Sequence, residues 1–481
     1  MINSQTIQNA IYDLCVEANT VLNDDVFAKI LSAYEKETNL DAKQALQLIL
    51  KNAKIAYETK KPLCQDTGQV LVFVKVGEKT QVENLKQSIN NGIIKAYEEN
   101  FYRKSVVENA IFNRTNTTTN VPCIIYTEIV EGAKDSDFLE LELLIKGAGA
   151  ENMSQIAMLS PTATEDEIVE FAKSVVAKAG AKACPPLFIG VGIGGTMEYA
   201  GLLSKKALLL ECDLDNKHKK LAEKIKNAIN SLDIGVAGYG GLSTALDVKI
   251  LTDFTHIASM PVAVTINCHS SRHAKCSIKE GTKNKTQRTE SKIKNYTPRK
   301  DDFFDFIKVD ASDISALKNL KTGQKVLLSG EIYTARDMAH KKLYELIKNG
   351  EELPFEITDK IIFYAGPCPC KDGEVIGSIG PTTSSRMDKF APALYKAGVL
   401  ATIGKGERSE EVLNTIKEVQ GLYFTVIGGV ACYLSEKVVK KELIAFEELG
   451  TEAVYRLEVN DLPLRVDLGR DFGDNLSLHT D

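Results

Sequence analysis

From Lys279 to Lys300 the chain reads KEGTKNKTQRTESKIKNYTPRK, with eight Lys or Arg, two Glu and almost no apolar residue. A stretch like this supplies neither a core strand nor a buried helix face, so the two parts it separates must each bury a core of their own. Domains are therefore expected at 1–278 and 303–481, joined by a basic linker over 279–302. The tract reads as a solvated tether rather than a nucleic-acid arm. The whole chain carries 59 basic against 65 acidic residues, a net charge of −6, and so offers no general basic field to DNA, RNA or an anionic membrane.

Apolar spacing in the first 60 residues (Ile7, Ile11, Leu14, Leu22, Val26, Ile30, Leu31, Tyr34) predicts helices, with Asp41 a candidate cap for a helix over Ala42–Thr59. Beyond Pro62 come β-branched runs, VLVFVKV at 70–76 and CIIYTEIV at 123–130, between helical stretches near 80–100 and 165–180. The second part alternates QKVLLSGEIYT, GLYFTVIGGV and EAVYRLEV with helical segments. The expected fold is an α+β N-terminal domain linked to an α/β C-terminal domain, with the active site in the cleft between them. The apolar runs Pro185–Val191 and Met260–Ile266 fall far short of the roughly 18 residues that span a bilayer. No basic, apolar leader pattern opens the sequence, so a cytoplasmic protein is expected. Ten scattered cysteines without a CxxC pair argue against a disulfide framework, a zinc ribbon or a ferredoxin-type motif.

Several motifs carry chemistry. Gly190-Val191-Gly192-Ile193-Gly194-Gly195 satisfies GxGxxG, with Glu211 and Asp213 at the distance of a ribose-binding acid, but Pro185-Pro186 leaves little room for the strand a dinucleotide site requires. A loop of backbone donors before a helix is the more general reading. Lys61-Pro-Leu-Cys-Gln-Asp-Thr-Gly68 places a thiol, an amide, a carboxylate and a hydroxyl at one turn, a pattern that equally suits a buried cysteine and a turn-capping aspartate. Asn267-Cys-His-Ser-Ser-Arg-His273 ends an apolar run, and Cys184 precedes Pro-Pro. Three solitary cysteines in Gly- or Pro-marked loops suggest an iron–sulfur cluster with three protein ligands and one open iron. In the second part, Gly380-Pro-Thr-Thr-Ser-Ser-Arg-Met-Asp388, Arg336-Asp337 with His340, and Gly404-Lys405-Gly406 form a cationic, hydroxyl-rich set suited to a small dianionic acid.

KPLCQDTG, KGAGAENMS, CPPLFIGVGIGGT, HIASMPVAVTINCHSSRH, ARDMAH, GPTTSSRMD and IGKG occur in this order. Together they resemble the class I, iron–sulfur fumarate hydratases, whose relatives include L-tartrate dehydratases, along nearly the whole chain. The resemblance implies a fused pair of the family's α and β parts and a hydro-lyase of the tricarboxylic acid cycle that interconverts (S)-malate and fumarate. It implies a [4Fe-4S] cluster on Cys64, Cys184 and Cys268, with Gln65, Asp66, Arg103, Gly147, Arg336, Thr382, Arg386 and Lys405 contacting substrate. Thr382 is then the base that takes the C3 proton of malate, and Asp66, paired with His256, the acid that protonates the departing hydroxyl. A homodimer and an oxygen-labile cluster are implied too. Cys276, Cys368 and Cys370 fall outside the ligand motifs.

The chemistry is self-consistent, because a proton next to a carboxylate is released only where cations and a polarising iron bear the developing charge. Threonine is a poor base at its ordinary pKa, so Thr382 requires an electropositive, desolvated setting. Three readings compete. L-tartrate dehydration or mesaconate hydration differs from the leading one by a single hydroxyl or methyl group. An NAD-dependent hydroxy-acid dehydrogenase would rest on residues 190–195, and a cluster-bearing RNA-binding regulator on the 279–300 tract.

Overall fold

Asn3 and Asn39 begin two of the three helices that open the chain, α1 (Ser4–Thr20), α2 (Asp24–Lys36) and α3 (Leu40–Thr59). The side chain of Asn39 accepts from the backbone N–H groups of Asp41 and Ala42, so Asn39 caps α3 and Asp41 lies inside its first turn, where its charge suits the helix dipole. The computed structural model describes residues 1–112, 114–132, 136–210, 215–279, 291–299 and 305–471. These divide into two compact units, Met1–Pro298 and Arg299–Asp481. Glu211, Asp213 and most of the basic tract lie outside the described residues.

In the N-terminal unit β1 (Gln69–Gly77), α4 (Leu85–Glu99), β2 (Ile124–Val130) and β3 (Leu139–Lys146) follow in order. Next come the single turn α5 (Ala148–Glu151), β4 (Gln155–Leu159), α6 (Glu165–Ala179), β5 (Leu187–Gly195) and α7 (Met197–Ala207). α8 (Asn216–Asn230), β6 (Ala245–Thr255), β7 (Met260–Asn267) and β8 (His273–Ile278) complete it. Two four-stranded sheets result, in the orders β2-β1-β3-β8 and β4-β7-β5-β6. Strand alternation points Val70, Val72 and Val74 of β1 at one core, where α1 and α4 bring Ile7, Ile11, Leu14, Ile89, Ile93 and Tyr97. The second sheet sends Ile189, Val191, Ile250 and Val264 to a separate core with α6 and α8.

The alternation of β5 also explains its glycines. The GxGxxG segment is strand, not loop, which corrects the expectation of a phosphate-cradling turn. Gly190 and Gly192 face α7, where an added Cβ would stand 2.0 Å from the Ser204 carbonyl oxygen and 2.1 Å from that of Ala200. Their period of two is thus a packing requirement of a helix lying directly on a strand.

The last described part of the tract packs on the helices of its own unit. Ser291 Oγ and Lys292 N donate to Asp24 Oδ1 at 3.0 and 2.8 Å, Ile293 is fully buried, and the Tyr296 ring meets Phe27 edge-on at 5.4 Å. Its lysines stay exposed.

The C-terminal unit runs β9 (Phe306–Asp310), α9 (Ile314–Lys318), β10 (Lys325–Thr334), α10 (Asp337–Asn349), β11 (Ile361–Phe363), α11 (Ala391–Lys396) and β12 (Ala401–Gly404). It ends with α12 (Glu410–Glu418), β13 (Leu422–Thr425), α13 (Ala431–Ser435), β14 (Val438–Ala445) and β15 (Val454–Leu468). The strand order is β14-β15-β13-β12-β11-β10-β9. β15 pairs antiparallel with both β13 and β10, so the ladder closes on itself through β13, β12, β11 and β10. Among the described residues no helix is long and apolar enough to cross a membrane.

Candidate active site

Strand register brings the three cysteines to one place. Gln69, just after the Cys64 turn, pairs with Lys146 at the end of β3, and Leu144 pairs with His273 at the start of β8. The Cys64 turn, the Gly147 turn and the 268–272 loop therefore leave the same end of the first sheet. In the second sheet Phe188 pairs with Asn267, which sets Cys184, before β5, beside Cys268, after β7. The 268–272 loop, crossing from β7 to β8, joins the two sheets at this end.

Short polar contacts fix these loops. His269 Nδ1 meets the Cys184 carbonyl oxygen at 3.2 Å, and Ser270 Oγ meets Cys268 Sγ at 3.0 Å. Leu63 N donates to the Asn19 carbonyl oxygen at 2.7 Å, so the end of α1 holds the turn that carries Cys64. Cys184 adopts a left-handed backbone conformation, φ 58°, which is strained for a residue with a side chain. Lys146 Nζ donates to the Ile266 carbonyl oxygen and lies 3.7 Å from Glu151 Oε2. Burial pulls the Lys146 ammonium down to about 8, against the opposing charge of Glu151.

All three thiols are half-buried and free of disulfides. Burial pushes the Cys64 thiol up to about 12, Arg272 opposes that rise, and Cys268, Asp66 and Cys184 add to it. The sulfurs thus sense one another's charge. Among the described residues no group of three His, Cys, Asp or Glu side chains is arranged to hold a metal ion. Thiolates around a multi-iron cluster stand farther apart than around one ion, and an all-sulfur donor set suits iron and sulfide. A buried donor without a partner among the described residues, Arg272 Nε, accompanies them, so the residues present fit an anionic sulfur-ligated group.

Asp66 stands beside this cluster of thiols. Its Oδ2 accepts from Ala148 N at 2.8 Å, and its Oδ1 accepts from Gly68 N at 3.2 Å and lies 3.3 Å from Arg103 Nη2. A side chain at Gly147 would come within 3.2 Å of Asp66 Oδ2 and 3.4 Å of Arg272 Nη2, so the glycine leaves open the room between acid and guanidinium. Gln65 is buried and its Oε1 lies 3.4 Å from Cys64 Sγ. Cys64, Gln65, Asp66, Arg103 and Gly147 are thus brought together. His256 is not: it is exposed in the turn between β6 and β7, and the eight residues of β7, about 25 Å at roughly 3.3 Å each, separate that turn from Cys268. The expected Asp66–His256 pair is not formed within this chain.

In the C-terminal unit β10, β11 and β12 run parallel as neighbours, and Arg336, Tyr364 and Lys405 follow their carboxyl ends, the usual place for a ligand in such a sheet. Thr382 is buried, and its N–H donates to the Tyr364 carbonyl oxygen at 2.6 Å. Ser384 N donates to the Lys405 carbonyl oxygen at 2.9 Å, and Tyr423 Oη donates to the Gly406 carbonyl oxygen at 2.6 Å and lies 2.8 Å from Ser384 Oγ. The Thr382 and Lys405 loops are therefore one tied assembly. Behind it, Arg408 lies between the rings of Tyr364 and Tyr423, at 5.2 and 5.1 Å, and pairs with Asp388 at 2.8 Å.

Two members of the expected cationic set are paired with carboxylates. Asp337 takes both Arg386 and Arg336, and Arg336 also lies 3.2 Å from Glu452 Oε1. Glu452 and Arg408 contribute to the sites from outside the motifs, Glu452 through Arg336 and Arg408 behind the Thr382 and Lys405 loops. Arg272 and Asp337 lie inside the motifs, but their burial and partners arise from segments far away in sequence.

Residues 8–277 match the family Fumarate hydratase (Fumerase), and residues 280–476 match Fumarase C-terminus. The chain is 32% identical to a protein of Escherichia coli strain K12 named fumarate hydratase class I, anaerobic, over 92% of this chain and 85% of the relative. It is 30% identical to fumarate hydratase 1, mitochondrial, of Leishmania major, over 90% and 83% of the two chains. A putative L(+)-tartrate dehydratase subunit alpha of Methanocaldococcus jannaschii is 39% identical over 56% of this chain and 96% of its own. The two matched segments follow one another along nearly the full length, and the chain belongs to the fumarate hydratase family.

Proposed function

We propose that this chain, a hydro-lyase of class I fumarate hydratase type, interconverts (S)-malate and fumarate with the help of a [4Fe-4S] cluster on Cys64, Cys184 and Cys268. Family and relatives support the reaction. The observation that carries the reading down to residues is the convergence of three cysteine-bearing loops on the shared end of two sheets. When bound, such a cluster supplies Lewis acidity toward the hydroxyl and carboxylate of the substrate.

The chain's own residues do the rest. Asp66, ordered by Ala148, Gly68 and Arg103, delivers a proton to the departing hydroxyl, and Gln65 and Gly147 shape the space beside it. Thr382 takes the C3 proton, and Arg336, Arg386 and Lys405 hold carboxylate charge while it builds up on the substrate. Asp337 and Glu452 fix the two guanidiniums in place, so little reorganisation is left for the moment of reaction.

L-tartrate is the second reading, favoured by the N-terminal unit's likeness to a putative tartrate dehydratase subunit. One hydroxyl changes discrimination by only about 1–3 kcal/mol unless a dedicated partner meets it.

The test is to purify and reconstitute the full chain without oxygen, record its visible spectrum, iron and sulfide, and follow fumarate loss in the ultraviolet, with L-tartrate in parallel. A cluster band with fumarate turnover that is lost in air is expected. A colourless protein without hydration activity after reconstitution would overturn the proposal, and turnover of tartrate but not fumarate would replace it with the second reading.

A further inference from the structure

Arg272 is 2% exposed, yet among the described residues no carboxylate forms an ion pair with it and its Nε has no hydrogen-bond partner. The guanidinium makes one hydrogen bond, from Nη1 to Asn19 Oδ1 at 3.1 Å, and Asn19 is itself committed through Nδ2 to the Cys15 carbonyl oxygen at 3.0 Å. A neutral amide does not offset a buried charge. Keeping an unpaired guanidinium out of water is strongly unfavourable, so a fold that retains one at a loop junction has to offer it an anion.

The surroundings say where that anion belongs. Arg272 lies four residues after Cys268 on the loop that joins the two sheets, and Nη2 reaches to within 3.4 Å of where a Gly147 side chain would begin, beside Asp66. Its positive charge is felt at the Cys64 sulfur. A second buried donor without a partner, Asn267 Nδ2, directly precedes Cys268. Two unmet N–H donors and one unmet positive charge thus accompany the three thiols.

We infer that Arg272 is a positioning residue for the anionic sulfur-ligated group of Cys64, Cys184 and Cys268, supplying compensating charge and N–H donors to its sulfurs. The inference rests on the cluster reading above and deepens it. Net charge and hydrogen bonds to sulfur set the reduction potential of such a group and its hold on iron, so Arg272 governs both.

Wild type, R272Q and R272K are reconstituted anaerobically and compared by visible spectrum, iron and sulfide content, rate of iron release to a chelator, and a spectroscopically followed redox titration. R272Q removes the charge. It is expected to lose iron at least tenfold faster and to be reduced at a more negative potential, since an added electron is no longer offset. R272K keeps the charge without the Nε donor and is expected to bring the potential back toward wild type while iron release stays fast. A role confined to tying Asn19 would leave the potential of all three alike. An R272Q protein with wild-type potential and iron release overturns the inference alone; a wild-type chain that takes up no cluster overturns the cluster reading and this inference with it. Should R272Q fail to fold by circular dichroism, R272K decides, and iron release at the wild-type rate overturns the inference.

Discussion

Asp337 grips Arg386 with both carboxylate oxygens, Oδ1 to Nε at 2.9 Å and Oδ2 to Nη2 at 2.7 Å, while Oδ2 also accepts from Arg336 Nε at 3.2 Å. One acid therefore sets the orientation of the two guanidiniums that the proposed reaction assigns to substrate carboxylate. Burial pushes the Asp337 carboxyl up, but Arg336 and Arg386 outweigh it and hold it below its ordinary value, so it stays charged at neutral pH. The pair is a fork-to-fork contact of the kind that lends geometric specificity as well as energy.

Removing that charge disorganises binding rather than freeing it. D337N leaves two like charges adjacent and weakens charge-assisted hydrogen bonds worth about 1.5–3 kcal/mol each. KM for malate is expected to rise about tenfold or more, with a smaller loss in kcat. Steady-state kinetics on the reconstituted protein decide the matter: an unchanged or lower KM would show that Asp337 competes with substrate instead of preparing its site.

The proposed cluster divides the cysteines by role. Serine at Cys64, Cys184 or Cys268 is expected to abolish the visible band and cut activity more than about 100-fold, beyond the usual effect of losing a supporting partner. C276S and C370S change thiols placed elsewhere, Cys276 buried on β8 and Cys370 next to Lys441 Nζ at 3.5 Å, and should keep iron and turnover. Iron analysis and circular dichroism on all five proteins test this assignment. A colourless C370S, or a fully active C184S, would break it.

Gly192 offers a test of packing that is independent of function. A methyl group there would collide with the Ala200 carbonyl oxygen, a backbone atom that moves only if α7 lifts from β5. Overpacking of this kind costs roughly 1–3 kcal/mol, which for a unit of this size lowers Tm by about 2–4 °C per kcal/mol. Calorimetry on G192A should show that loss, and a Tm equal to wild type would mean that the helix rides farther from the strand.

Much of this was legible in the sequence where the signal is local. Valines alternating at 70, 72 and 74 gave β1 and its buried face, helical spacing from Ile7 to Tyr34 gave α1 and α2, and each of the three cysteine loops bordered an apolar run. Less was legible where long-range pairing decides. GxGxxG reads as a loop because glycine favours turns, whereas here tertiary contact with α7 requires its absence of side chains. That β15 would pair with both β10 and β13 depends on partners more than 100 residues before it in one case and about 40 in the other. Arg272 and Arg103 look alike in sequence, yet only the fold gives one of them Asp66 and leaves the other without a carboxylate partner among the described residues.

His340 ties stability to pH. It is fully buried on α10, its Nδ1 bonded to the Arg336 carbonyl oxygen at 3.2 Å, its Nε2 without a partner among the described residues and its ring edge-on to Tyr364 at 4.9 Å. Burial pulls it from 6.5 to about 4; Arg408 pulls the same way, while the Arg336 carbonyl and Asp337 oppose. The folded state therefore holds the neutral ring, and protons bind the unfolded chain first. Its contribution is fully present above about pH 6.5 and is lost as pH falls toward about 4; that interval, at about 1.36 kcal/mol per pH unit, amounts to about 3 kcal/mol. Carboxylates near the lower limit titrate as well, so the informative quantity is the difference from a variant lacking the ring. Urea unfolding of wild type and H340Q, measured at steps between these limits, should give a steeper fall for wild type. Parallel curves would mean that the imidazole is protonated in the folded protein, which would require an anion or water at Nε2.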